Sequence, residues 1–391
     1  MASTLKRIFS DKTFLFTFVL ALISLIFGTV RASDIDLKTI LALLSLIILI
    51  SIFEILGILK YFAAFIIEKC QNLRQVALVV LLLSFFGSMF FTNDVAILTL
   101  VPIVFNIDRK VKLPKIGLIS LMTIYANLGS AITPIGNPQN LYLVSYYHLK
   151  LLDFFKLSLP LGLVSLLTLF LCALLFSKKA VSQLENKAFS IKKQELYLLG
   201  FTTLIVLFGV LALIPVWISL IASLFCAYLI DKKVYKQIDY GIILTFINFF
   251  IIVGALGRIP LIHDWLRQLM STDISIFFAS LLSSQVISNV PAAVLLSKFT
   301  GQLSPLYLGV TIGGLGTLVA SLVLQGWYRT SIVGGLERMS SHLWRRLYWY
   351  YSSYLLDAIT KLVYSSKKFI FSFFYYFCFL FSKKLKKILV N

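Results

Sequence analysis

Two long apolar stretches of this chain are each interrupted by an asparagine, and those interruptions restrict the fold more than any other feature. The first reads Phe90-Phe91-Thr92-Asn93-Asp94-Val95-Ala96, the second Val286-Ile287-Ser288-Asn289-Val290-Pro291-Ala292. Each precedes a further apolar segment broken by glycines: Thr133-Pro134-Ile135-Gly136-Asn137-Pro138-Gln139-Asn140 after the first, and Thr311-Ile312-Gly313-Gly314-Leu315-Gly316-Thr317 after the second. Polar, helix-breaking positions at membrane depth are tolerated only where protein or a water-filled cavity surrounds them. Two such pairs, one in each half of a chain, point to a midplane site of the kind that secondary carriers use.

Composition agrees. Of 391 residues 59% are hydrophobic and only 13% charged, about half the usual share of a soluble domain, and the mean hydropathy is +0.94. The chain reads as an all-α polytopic membrane protein. Its net charge of +20 points to no nucleic acid, because Lys and Arg collect in short loops between apolar spans, as the positive-inside rule expects. Cys70, Cys172, Cys226 and Cys378 form no CxxC pair, which argues against a metal centre or a disulfide framework. Residues 13–30 follow Lys6, Arg7 and Lys12 and lack a small-x-small cleavage site, so they are expected to be a retained helix.

A spanning helix needs roughly 20 apolar residues. Candidates are 13–30, 39–59, 115–147, 153–176, 195–213, 215–230, 240–259 and 307–325, with 76–106 and 276–298 carrying the asparagine breaks. The segment 177–194 holds Lys178, Lys179, Lys187, Lys192 and Lys193, and 231–239 holds Lys232, Lys233 and Lys236. Both are expected in the cytoplasm. Lys69 and Arg74 precede the first broken stretch, and Arg109, Lys110, Lys112 and Lys115 follow it, so it enters and leaves on one side as a re-entrant helical hairpin. Counting spans forward places 260–275 outside and opens the second hairpin there. The expected architecture is an inverted-topology repeat with two re-entrant hairpins and two broken transmembrane helices. Residues 1–176 form the first repeat, with the cytoplasm-facing hairpin 76–106. Residues 177–194 form a cytoplasmic linker, and 195–325 the second repeat, with the outward-facing hairpin 276–298. The segment 260–275 reads as an amphipathic interfacial helix, with 61–75 as its counterpart. The aromatic and basic segment 326–391 reads either as a divergent last helix with a cytoplasmic end or as a product of coding-frame disruption.

The breaks have a chemistry of their own. Helix N-termini offer N–H donors and partial positive charge to an anion; unwound carbonyls suit a cation such as Na⁺. Asn93 and Asn289 supply amides, Thr92, Ser288 and Thr317 hydroxyls, and Gly136, Gly313, Gly314 and Gly316 close backbone approach. Pro134, Pro138 and Pro291 interrupt the helix ladder. Asp94 is a carboxylate in a membrane segment, where burying charge costs roughly 2.5 kcal/mol or more. It is the natural place for Na⁺ or H⁺. Glu54 also lies in an apolar span and reads either as a functional carboxylate or as an interface residue.

Around these breaks the chain resembles the ion transporter superfamily, whose members include arsenite efflux permeases, NhaD-type Na⁺/H⁺ antiporters, citrate-type carriers and divalent-anion:Na⁺ symporters. The resemblance rests on Phe91-Thr92-Asn93-Asp94-Val95-Ala96, on the run from Ala126 to Asn140, and on Ser284-Gln285-Val286-Ile287-Ser288-Asn289-Val290-Pro291-Ala292. It covers roughly residues 10–325. It implies a scaffold-plus-transport-domain fold, a homodimer, and a substrate held between the hairpin tips and the helix breaks. Asn93, Ser288 and Asn289 correspond to the tips, Gly136, Asn137, Pro138 and Asn140 to the first helix break, and Gly313, Gly314 and Thr317 to the second. Ion coupling falls to Thr92, Asn93, Asp94 and Asn289, with Na⁺ at Asn93, Asp94 and Asn289. Dicarboxylate symporters carry Ser-Asn-Thr at both tips. The acidic tip Thr92-Asn93-Asp94 looks more like the arsenite and antiporter branches.

The leading expectation is a secondary carrier of a small anion or oxyanion, a carboxylate such as citrate or an arsenite-like species, in the cytoplasmic membrane. No cofactor is expected beyond Na⁺ or H⁺ as coupling ion. The alternative within transport is a Na⁺/H⁺ antiporter using Asp94. A channel or membrane-embedded enzyme fits less well, since no HExxH, paired aspartates or Ser–His pair is evident. With no P-loop in the chain, an ATP-driven mode would need a separate ATPase subunit as partner.

Overall fold

The computed structural model describes residues 8–110, 113–181 and 192–315. Within them the regular structure is helical. In chain order the helices are α1 (Lys12–Phe27), α2 (Leu37–Leu56), α3 (Ile58–Ile67), α4 (Leu73–Lys110), α5 (Lys115–Ser130), α6 (Pro138–Tyr146), α7 (Leu151–Ala173) and α8 (Lys193–Val210). They continue with α9 (Val216–Ile230), α10 (Val234–Gln237), α11 (Tyr240–Leu256), α12 (Pro260–Leu269), α13 (Asp273–Ile287), α14 (Asn289–Ser297) and α15 (Leu303–Gly313). Leu37–Leu56, Leu73–Asp108, Leu151–Ala173 and Lys193–Val210 are long and apolar enough to cross a membrane. Several shorter apolar helices accompany them, so the protein is a multi-pass membrane protein. Of the expected segments, 326–391 lies outside the described residues, as do Gly316 and Thr317 within 307–325.

Local signals explain the helix boundaries. Asp36 caps α2 by accepting from the backbone N–H of Lys38 and Thr39, and Thr272 caps α13 through a reciprocal box with Ser275. Both satisfy donors that a helix start leaves orphaned. Pro260 opens α12 at a position where its missing N–H costs nothing. The expected span 115–147 is two helices, α5 and α6, separated at the glycine and proline motif. Glu54 is exposed in the last turn of α2, a position that suits the interface reading.

Contacts divide the chain into two compact units. One comprises the described parts of Met1–Gly57, Asn137–Phe154 and Ser190–Gly313. In it α1 packs on α11, α2 on α9, α8 and α6, and α13 and α14 on α15, with α14 also meeting α6. Arg258, after α11, donates through Nη1 to Asp34 Oδ2 at 3.0 Å and to Gly254 O at 2.9 Å, and through Nη2 to Asp34 Oδ1. It also donates to Thr29 O, so one guanidinium ties together the ends of α1 and α11. The chain bends 99° between α11 and α12, and α12 leaves Leu261 and Trp265 exposed.

The other unit comprises the described parts of Ile58–Gly136 and Phe155–Phe189 together with residues 314 and 315. Its centre is α4 against α5, with α3 alongside α4. At one end the backbone of residues 71–73 pairs with 179–181: Leu73 N donates to Lys179 O and Val181 N to Gln71 O, both at 3.0 Å. Arg74 Nε adds a bond to Phe176 O at 2.9 Å.

Candidate functional site

Both asparagine breaks are breaks in the backbone. Thr92 interrupts α4 at φ 66°, ψ 159°, and Ser288 separates α13 from α14 at φ 84°, ψ 157°. This region is populated essentially by glycine, and a residue with a Cβ holds it at a cost of about 1–3 kcal/mol. Such strain persists where surrounding packing enforces it, and it clusters at functional sites.

In the unit containing the first break, Asn93 is buried and its Nδ2 donates to Asn127 Oδ1 at 2.9 Å. Asn127 Nδ2 donates in turn to Thr123 O at 3.0 Å. Thr133 Oγ1 donates to Met89 O at 2.6 Å and accepts from Gly136 N at 3.0 Å. The tip is thereby tied to the helix break that follows it. Asp94 lies beside Asn93 and is partly buried. Gly129 lets α5 approach α4: a Cβ there would meet Phe85 O and Ser88 Oγ.

In the other unit, Asn289 Oδ1 accepts from Val290 N at 2.9 Å and from Ser288 Oγ at 3.2 Å. That amide oxygen is used on its own turn, unlike Asn93, whose amide reaches across to α5. Gly313 plays the part of Gly129, since its Cβ would meet Leu281 O at 2.5 Å and the Ser284 Cβ at 2.7 Å. Gly314, buried just past α15, is grouped with the unit that holds the first break.

Asn137 is the N-cap of α6, with Pro138 at the first helical position. Asn137 Oδ1 accepts from Gln139 N at 3.1 Å, and its backbone O accepts from Asn140 N at 3.0 Å and Leu141 N at 3.2 Å. The first-turn donors of α6 are thus committed within the protein. Asn140 is fully buried. Gln139, also buried, donates from Nε2 to Thr311 Oγ1 on α15 at 3.2 Å.

The structure thus places the expected residues in two groups. Thr92, Asn93, Asp94 and Gly136 belong to one unit. Asn137, Pro138, Asn140, Ser288, Asn289 and Gly313 belong to the other. Sequence reasoning passed over three partners within these motifs: Asn127, Gln139 and Thr311. Their signal was an amide or hydroxyl inside an otherwise apolar helix, which in a lipid-spanning segment calls for a partner. Among the described residues no group of three or more His, Cys, Asp or Glu could hold a metal ion.

Comparisons with known proteins identify the family. The family model described as citrate transporter matches residues 2–324. The chain is 35% identical over 292 residues to an uncharacterised transporter of Methanocaldococcus jannaschii, covering 73% of this chain and 79% of that one. It is 29% identical over 292 residues to the inner membrane protein YbiR of Escherichia coli, covering 74% and 78%. A silicon efflux transporter of rice, Oryza sativa subsp. japonica, is 26% identical over 144 residues, which is 36% of this chain and 30% of that one. Multiple apolar helices, two strained breaks at asparagine and a family match over most of the length lead to one conclusion: the chain belongs to the citrate transporter family, and it is a membrane transporter, not an enzyme.

Proposed function

We propose that the protein is a secondary active carrier of a small anion or oxyanion across the cytoplasmic membrane, driven by Na⁺ or H⁺. The observation that carries this reading is the matched backbone at Thr92 and Ser288, each followed by an asparagine and each in a hairpin packed on a helix whose glycine permits close approach. We assign substrate binding to Asn93, Gly136, Asn137, Pro138, Asn140, Ser288, Asn289, Gly313, Gly314 and Thr317, and ion coupling to Thr92, Asn93, Asp94 and Asn289. Thr317 lies outside the described residues.

Contact order within each unit supports re-entrant hairpins. Ser84 Oγ donates to Met122 O at 2.6 Å, Gly129 abuts Phe85, and Thr133 donates to Met89. The first part of α4 therefore runs in the same direction as α5. Past Thr92 the order reverses, because Asn93 meets Asn127. In the other unit Gly309 abuts Phe277 and Ser280 while Gly313 abuts Leu281 and Ser284. Helices α13 and α15 thus run in the same direction, so α14, about 13 Å long, and the segment 298–302 after it must together carry the chain back along the roughly 22 Å of α13. Opposite orientation of the two hairpins, an inverted repeat, follows from the basic loops.

Citrate enters the solute panel from the family description, and a silicon species from the silicon efflux relative. The alternative is a Na⁺/H⁺ antiporter, favoured by a partly buried carboxylate, Asp94, next to the Thr92 break. Proteoliposome uptake of citrate, succinate, sulfate, arsenite and silicate under imposed Na⁺ or H⁺ gradients tests the reading. Gradient-driven accumulation of one solute, with coupling lost in Asp94→Asn, is expected. Na⁺/H⁺ exchange with no solute accumulation would replace it with the antiporter.

A further inference from the structure

Gln139 occupies the first turn of α6 and is 1% exposed. Its Nε2 is held by Thr311 Oγ1 at 3.2 Å, a bond between α6 and α15 inside one unit. Its Oε1 is buried and has no hydrogen-bond partner. Buried amide oxygens are almost always satisfied, so an orphan needs a reason. The neighbouring backbone provides none. The N–H groups of Gln139, Asn140 and Leu141 are taken by Asn137, and Pro138 has no N–H. This helix end was expected to offer donors to an anion; with those donors committed, what it presents is a fixed acceptor.

Resting on the carrier reading above, we propose that Gln139 Oε1 accepts a hydrogen bond from a hydroxyl of the transported solute. The solute class is then a hydroxylated acid, either a hydroxycarboxylate or a protonated oxyacid. A single O–H satisfies a single acceptor. A dehydrated cation needs several oxygen ligands, whereas the Gln139 side chain offers one, and Thr311 Oγ1 already receives the Nε2 proton. The amide brings no charge, so it selects for the hydroxyl and leaves charge neutralisation to other groups. A site built to bond a hydroxyl discriminates against the analogue lacking it, because the acceptor is then left unpaired.

The test uses the full chain and solute pairs that differ by one hydroxyl, malate against succinate and citrate against tricarballylate, with arsenite, which is fully hydroxylated at neutral pH, set against sulfate, which has no hydroxyl. Binding is read by ligand-induced thermal shift, which rises with concentration over Kd, and uptake is read separately in proteoliposomes. We expect wild-type protein to bind the hydroxylated member of at least one pair about tenfold more tightly. In Gln139→Leu that ratio should fall towards one, while the ligand-free melting temperature stays the same or rises. Gln139→Met serves the same purpose if the leucine variant does not fold. Unchanged discrimination in a folded variant, a ligand-free melting temperature lowered by several degrees, an effect confined to Na⁺ activation, or no hydroxyl preference in the wild type would each overturn the assignment. Uptake without discrimination defeats the Gln139 assignment alone; discrimination in binding without uptake defeats the carrier reading alone.

Discussion

Thr92 and Ser288 share one backbone conformation, φ 66° with ψ 159° at the first and φ 84° with ψ 157° at the second, in a region that suits glycine. The equality is internal to each unit and does not depend on how the units are arranged. It predicts that Thr92→Gly and Ser288→Gly each relieve strain of about 1–3 kcal/mol, offset by about 0.5–1 kcal/mol of added chain entropy. The expected result is a melting temperature in detergent equal to or above that of the wild type. A clear fall at both sites would mean that the hydroxyls, not the strained turns, hold the tips.

Gly129 and Gly313 permit equivalent close approaches, the first to Phe85 and Ser88, the second to Leu281 and Ser284. Gly129→Ala and Gly313→Ala should each destabilise by about 1–3 kcal/mol through overpacking. Gly200→Ala is the control. Nothing lies within 4 Å of its added Cβ, and it should be neutral or stabilising by up to about 1 kcal/mol. Thermal unfolding of the three purified variants checks the contrast.

Asn93 and Asn127 share one hydrogen bond at 2.9 Å. A double-mutant cycle with Asn93→Ala and Asn127→Ala should give a coupling energy of about 0.5–1.5 kcal/mol. A coupling near zero would mean that the two amides act independently.

Asp34 lies in the turn between α1 and α2, outside the spans. Burial alone would raise its carboxyl, but hydrogen bonds from Arg258 and the Arg31 backbone N–H, with the charges of Arg258 and Lys298, hold it below the usual range. A depressed carboxyl stabilises the fold above its unfolded value of about 3.9, and that contribution disappears as pH falls through the folded value. The protein should therefore lose stability below about pH 4, and Asp34→Asn should flatten that part of the profile. At neutral pH Asp34→Ala should cost about 1.5–3 kcal/mol. Melting temperature against pH measures both.

The pairing of residues 71–73 with 179–181 joins two segments whose lysines and arginine are expected on the cytoplasmic side by the positive-inside rule. Arg74→Cys and Lys110→Cys should react with an impermeant thiol reagent from one side, and Gly301→Cys from the other. Opposite labelling of the first two would make α4 a simple span and remove the first hairpin.

Much of the architecture was legible in the sequence because its causes are local. Long apolar runs must become helices in lipid, where backbone groups have no water to pair with. Proline, glycine and capping residues act on their own turns, so the breaks at Thr92, at 131–137 and at Ser288, and the start of α12 at Pro260, could all be read from neighbouring residues. What the local pattern could not decide was which polar atoms meet. Asn93 with Asn127, Gln139 with Thr311 and Asp34 with Arg258 lie 34, 172 and 224 residues apart. An amide or carboxylate in an apolar helix announces that it needs a partner; which partner it finds depends on helix packing. Only the tertiary structure could therefore decide that the Asn289 oxygen serves its own turn, that the first N–H groups of α6 are already committed, and that one oxygen of Gln139 is left over.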